Sequence, residues 1–113
     1  MTEREAEVLN ELLSADFVGA QQLKAQLPLT RVVATWGEGS PSVDLEVERE
    51  AERADIADGE IPVDAQVRDV DGNYTGEITV WTNGGYLSAI EYGWVTDDRP
   101  DSLPAPSLLT LVV

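Results

Sequence analysis

The chain has no cysteine and no histidine. The first absence removes disulfides and thiolate metal sites. The second removes the commonest metal ligand and the commonest general base near neutral pH. No Ser-His or Cys-His nucleophile pair can therefore be built. Basic residues are scarce too: seven Lys and Arg stand against 22 Asp and Glu, a net charge of −15. That charge repels nucleic-acid phosphates and anionic membranes and favours a basic protein as partner. No apolar run reaches the roughly 20 residues that span a bilayer. Met1-Thr2-Glu3-Arg4-Glu5 is not the basic start of a secretory signal. The expectation is a soluble cytoplasmic protein without metal or cofactor.

What is present fits one folded domain. At 113 residues and 42% hydrophobic content, the chain has enough apolar material for one modest core, so residues 1–113 are read as a single α+β domain. Thr2-x-x-Glu5 is a capping box, and Val8, Leu9, Leu12 and Leu13 follow at helical spacing, so a helix is expected from Glu3 to about Ser14. Gly19 to Gln26 reads as a second, shorter helix anchored by Leu23 and Leu27 and ended by Pro28. Arg31–Trp36 is a strand by its β-branched content. Gly37-Glu38-Gly39-Ser40-Pro41 is a turn, and Ser42–Val47 alternates as a returning strand. Pairing across that five-residue loop sets Val33 opposite Leu45 and Trp36 beside Ser42.

The stretch Ile61–Val95 organises the rest. Asp71-Gly72 and Asn83-Gly84 are dipeptides favoured in type I′ hairpin turns. Counting outward from each gives a three-stranded meander with Val63, Ala65, Val67, Ile78, Val80, Leu87 and Ala89 on one face. The same count places Trp81, Tyr86, Ile90, Tyr92 and Trp94 on the other face and Glu91 on the core face opposite Gly76. Glu48–Glu60 is expected to be an irregular connection, because Glu48/Glu52 and Arg49/Arg53 are like-charge pairs at helical spacing. The apolar end, Leu108–Val113, is expected to dock on the sheet as an edge strand or a cover. Two N-terminal helices packed on an antiparallel sheet of about five strands follow.

Three motifs bear on function. Asp69-Val70-Asp71-Gly72-Asn73 opens like a calcium loop, but Tyr74 stands where the invariant glycine belongs and Val80 where the bidentate glutamate belongs. An ordinary hairpin turn accounts for it. The acidic run around Glu46–Glu60, with Glu48, Glu50 and Glu52, reads first as a solubilising surface, and otherwise as a docking site for a basic protein or a nucleic-acid mimic. The aromatics Trp81, Tyr86, Tyr92 and Trp94, joined by Trp36, are the sharper signal, because Tyr and Trp anchor interfaces. The alternative for them is burial under Leu108–Val113 or under a second protomer. Glu91, if buried, is a carboxylate with a raised pKa, yet the chain offers little room for a substrate cleft, and no enzyme is expected.

Gly85-Tyr86-Leu87-Ser88-Ala89-Ile90-Glu91-Tyr92-Gly93-Trp94, with Thr96-Asp97-Asp98 and the prolines after it, resembles the C-terminal half of a group of small acidic proteins from high-GC bacteria. Ser40-Pro41-Ser42-Val43-Asp44-Leu45 is similar to the same group. The resemblance implies no activity and no site residues.

The reading that results is a non-enzymatic acidic module that captures a basic protein, in the manner of immunity proteins. The alternatives are a small-ligand binder with a pocket between helices and sheet, and a homo-oligomer, such as a homodimer, joined through the aromatic face.

Overall fold

The computed structural model describes residues 1–113. Helix α1 spans Glu3–Leu13 and α2 spans Ala20–Ala25. The capping box at the start of α1 is formed: Thr2 Oγ1 accepts from the Glu5 amide and Glu5 accepts from the Thr2 amide. Pro28 sits in a 3-10 turn, Leu27–Leu29, that leads into the sheet.

The strands are β1 (Thr30–Thr35), β2 (Val43–Val47), β3 (Gly59–Glu60), β4 (Asp64–Arg68), β5 (Tyr74–Asn83), β6 (Tyr86–Trp94) and β7 (Leu109–Val112). They form one antiparallel sheet of seven strands in the order β1-β2-β6-β5-β4-β7, with β3 also paired to β5. The α+β class with two N-terminal helices is as expected; the strand count is higher. Two short elements make the difference. Gly59–Glu60 pairs with Trp81 and Thr82 before Pro62 interrupts the ladder, and the C-terminal segment becomes edge strand β7 against β4. The C-terminal segment therefore extends the sheet and leaves both faces uncovered by it.

One face carries the core. Val8, Leu9, Leu12 and Leu13 of α1 and Leu23 of α2 pack on Val43, Leu45, Val47, Ile78, Val80, Leu87 and Ile90. Glu48–Asp58 crosses as an irregular connection whose buried anchor is Ala54.

Three bulges correct the expected registers. In the first hairpin of the meander the loop has three residues, Val70–Gly72, and Gly72 takes the left-handed conformation at φ 86°. An irregularity at Thr75 then absorbs the extra residue, and Val67 meets Gly76 as the shorter loop also required. In β1 a bulge at Val33 puts Val32, and not Val33, opposite Leu45. Trp36 does sit beside Ser42, with its amide bonded to the Ser42 carbonyl at 3.0 Å.

The third bulge matters most. The turn is Gly84-Gly85, both with positive φ, so Asn83 pairs with Tyr86 and Thr82 with Leu87. Ser88 is then the extra residue, and Trp81 faces Ala89. Beyond Ser88 the two sides of β6 exchange. Ile90 and Tyr92 turn inward and are buried, while Ala89 and Glu91 turn outward. Counting from Asn83-Gly84 misses this, because a glycine pair satisfies the turn without forcing an asparagine to positive φ.

The polar groups of the interior are all bonded. Gln26, fully buried, donates from Nε2 to the carbonyls of Glu52 and Gly85, both at 2.9 Å, and accepts the Leu87 amide at 3.0 Å. Ser42 accepts the Tyr92 amide at 2.8 Å, and Thr82 donates to the carbonyls of Ala57 and Gly59. No buried side-chain nitrogen or oxygen lacks a partner.

Gly76 lies under the Tyr92 ring. A Cβ there would stand 2.5 Å from the Gly93 carbonyl oxygen and 2.9 Å from Tyr92 Cε1. Backbone and ring cannot both yield cheaply, so Gly76→Ala is expected to destabilise the fold by about 1–3 kcal/mol. Urea unfolding measures this; an unchanged midpoint would show that β5 and β6 are looser here than described.

Candidate functional site

The candidate site is the face of the sheet opposite the helices. Its central row runs Ala34, Asp44, Ala89, Trp81 across four neighbouring strands, each residue directly opposite the next. Trp81 ends this row on β5, and Trp36 lies two residues beyond Ala34, just past β1. The Trp36 indole Nε1 donates to Asp44 Oδ1 at 2.9 Å, and the Trp81 Nε1 donates to Glu91 Oε1 at 3.0 Å. Each indole thus reaches inward from β1 or β5 toward a carboxylate on the next strand. Trp36 is 46% exposed and Trp81 is partly buried. Ala89, the small residue between them, is buried although it points to this side.

The rest of the face is charged. Glu46 pairs with Arg31 at 2.7 Å, both exposed. Arg49 lies over the Tyr86 ring at 4.2 Å from its centroid. Arg68 lies over Tyr74 at 6.0 Å. Desolvation, followed by a hydrogen bond and the negative charge of Glu77, pushes the Tyr74 hydroxyl above the ordinary tyrosine range. The exposed carboxylates Asp64 and Glu77 continue the face on β4 and β5. Only two ion pairs exist in the molecule, Arg4–Glu7 and Arg31–Glu46. Asp44 and Glu91 belong to neither.

The structure separates the expected site residues into groups. Trp36, Trp81 and Tyr86 share the helix-free face, although Tyr86 pairs with Asn83 and not with Trp81. Tyr92 does not join them. It is 6% exposed in the core, opposite Ile78, and burial raises its hydroxyl pKa. Trp94 also leaves the group: it follows Tyr92 by two residues on the same side of β6, and emerges 37% exposed at the rim opposite Gly76. The Ser88 bulge is the physical reason for both corrections. It also overturns the placement of Glu91 on the core face opposite Gly76; Glu91 lies outward, opposite Thr79.

Glu48, Glu50 and Glu52 are exposed in the connection after β2, which also carries Arg49 to Tyr86. A hydrogen bond donated by the Glu50 carboxyl to Glu48, and then the Glu48 charge, raises the pKa of Glu50. Asp69 is held below its usual range, chiefly by the Asn73 amide at 2.9 Å, as the keystone of its turn. No group of three or more acidic side chains converges as a metal site.

Sequence reasoning missed three contributors: Asp44, Tyr74 and Glu91 in its outward role. Tyr74 follows directly on the Asp71-Gly72 turn, and alternation from Arg68 was the signal available for it. Asp44 was legible as an outward residue of Ser42–Val47. Its bond to Trp36 depends on the hairpin's closure.

The face is flat. None of the five larger surface clefts includes Trp36 or Trp81. The largest, about 520 Å³, lies between Glu60–Asp64 and the end of β7. No helix is long and apolar enough to cross a membrane. Comparison of the chain with models of known families, with curated proteins and with solved structures found no match.

The division between core and surface aromatics is testable by truncation. Tyr92→Ala is expected to cost about 3–5 kcal/mol, as for buried aromatics. Trp36→Ala is expected to stay within about 0.5 kcal/mol of the parent. Thermal and urea unfolding read both; equal losses would place the two residues in one environment.

Proposed function

We propose that this chain is a non-catalytic binding module that captures a basic protein on the helix-free face of its sheet. One observation carries the reading. Two indoles on that face, Trp36 exposed and Trp81 partly buried, are each bonded to a carboxylate that has no cationic partner. The chain around them bears a net charge of −15. Aromatic anchors supply short-range affinity, and uncompensated carboxylates speed the encounter with a cationic surface. Glu48, Glu50 and Glu52 lie beyond the end of β2, where they add to that field.

The two other readings have less support. Glu91, the carboxylate invoked for a small-ligand pocket between helices and sheet, is on the far side of the sheet from the helices. Self-association through the aromatic face would bring together two surfaces of the same negative sign. Catalysis has no specific support, because without histidine or cysteine no Ser-His or Cys-His pair can be built.

The test is capture from a lysate of the native cell, followed by identification of the bound protein and its purification. The purified protein should rebind the parent chain. Affinity should fall at least about 30-fold for the Trp36→Ala/Trp81→Ala double variant, the loss typical of central anchors. Charge reversal at Glu48, Glu50 and Glu52 should slow association at low salt with a smaller change in dissociation. A partner that is not basic, or one that binds the double variant as well as the parent, would contradict the proposal.

A further inference from the structure

We infer that the two indole–carboxylate pairs each receive one arginine side chain from a single extended segment of the partner. This rests on the binding reading above and specifies what the face recognises. Four aromatic rings line the face. Two are already occupied by the chain's own guanidinium groups: Arg49 over Tyr86 at 4.2 Å and Arg68 over Tyr74 at 6.0 Å. The other two are indoles, the strongest aromatic receptors for a cation, and neither has one.

Each indole holds a carboxylate where a guanidinium would need it. The bonds to Asp44 and Glu91 use the N–H edge of the ring, and no cation of the chain lies over either indole. They also occupy one of roughly four acceptor positions on each carboxylate. A guanidinium can therefore stack on the indole and bond the carboxylate in its own plane. Lysine cannot do both, because its ammonium is a point charge without the planar fork.

The spacing selects an extended ligand. Asp44 is directly opposite Ala89, and Glu91 is two residues further along β6. Such diagonal neighbours stand about 7–8 Å apart. Alternate residues of an extended chain repeat at about 6.7 Å, whereas neighbours on a helix face stand about 5–6 Å apart. An Arg-X-Arg strand laid across β2 and β6 matches both pairs. A second copy of this chain does not supply it: Arg and Lys never recur at a spacing of two in its sequence.

The probe is the blocked pentapeptide Thr-Arg-Thr-Arg-Thr, titrated into ¹⁵N-labelled protein at low salt. The chain has three tryptophans, so the indole N–H signals number three and Trp94 is an internal control. The Trp36 and Trp81 signals are expected to move together and saturate while that of Trp94 stays. The lysine version should bind at least about fivefold more weakly, and the citrulline version should leave all three signals in place. Asp44→Asn and Glu91→Gln should each weaken the arginine peptide about threefold or more. Unmoved signals at millimolar peptide, equal response to lysine, or an equal shift of Trp94 would overturn the inference. If a basic protein is captured through this face while the arginine peptide moves nothing, arginine recognition falls and protein binding stands. If the peptide binds as described and no protein is captured, the reverse holds.

Discussion

The sheet is held together at a seam that its strands alone do not complete. Between β2 and β6 only Val43↔Ile90 and Asp44↔Ala89 are paired. On either side of that short ladder the buried amides of Leu87 and Tyr92 need another acceptor, and an unpaired buried amide costs about 1–3 kcal/mol. Gln26 and Ser42 provide the two acceptors, at 3.0 and 2.8 Å. Gln26 also binds the carbonyls of Glu52 and Gly85, so one side chain from the end of α2 ties the acidic connection and the β5–β6 turn to the helical layer. The Ala54 amide bonds the same Gly85 carbonyl at 2.9 Å. Gly85 has to be glycine there: a Cβ would stand 2.6 Å from the Ala54 carbonyl oxygen.

The seam decides what the outer face contains. With Leu87 fixed inward and its amide held by Gln26, the bulge at Ser88 is the place where β6 changes sides. Ile90 and Tyr92 then fill the core beside Val80 and Ile78, and Glu91 turns outward to meet the Trp81 indole. Without the bulge, Glu91 would be buried without a cation and two large apolar residues would face solvent. The polar and apolar halves of β6 are sorted by one extra residue. The proposed recognition surface and the core are therefore consequences of the same register.

Much of the fold was legible in the sequence. The Thr2/Glu5 capping box and the spacing of Val8, Leu9, Leu12 and Leu13 fix α1 closely, because both signals are local. Alternation in Ser42–Val47 and at Val63–Val67 places those strands and their inward residues, and the like-charge pairs of Glu48–Glu60 mark an irregular connection. The candidate site was legible only in part. Trp36, Trp81 and Tyr86 were placed on one face by alternation that holds up to each bulge. Tyr92, Trp94 and Glu91 lie beyond the Ser88 bulge, and a bulge leaves no composition signature: Ser88 is a small polar residue that also suits a regular strand. Gln26 was legible only as the end of a short helix. Its role depends on groups that lie 26 to 61 residues away along the chain.

The most direct test of the seam is the Gln26→Met variant, which keeps the side chain's length and removes its hydrogen bonds. Equilibrium unfolding in urea, with hydrogen exchange of the Leu87 amide followed in the same protein, measures both consequences. A loss of about 2–4 kcal/mol is expected, since three backbone groups lose Gln26 and only the Gly85 carbonyl keeps another partner, the Ala54 amide. The Leu87 amide should exchange much faster than that of Val80. A change within about 0.5 kcal/mol, with Leu87 as protected as before, would contradict the view that this one carboxamide joins the helices, the acidic connection and the sheet.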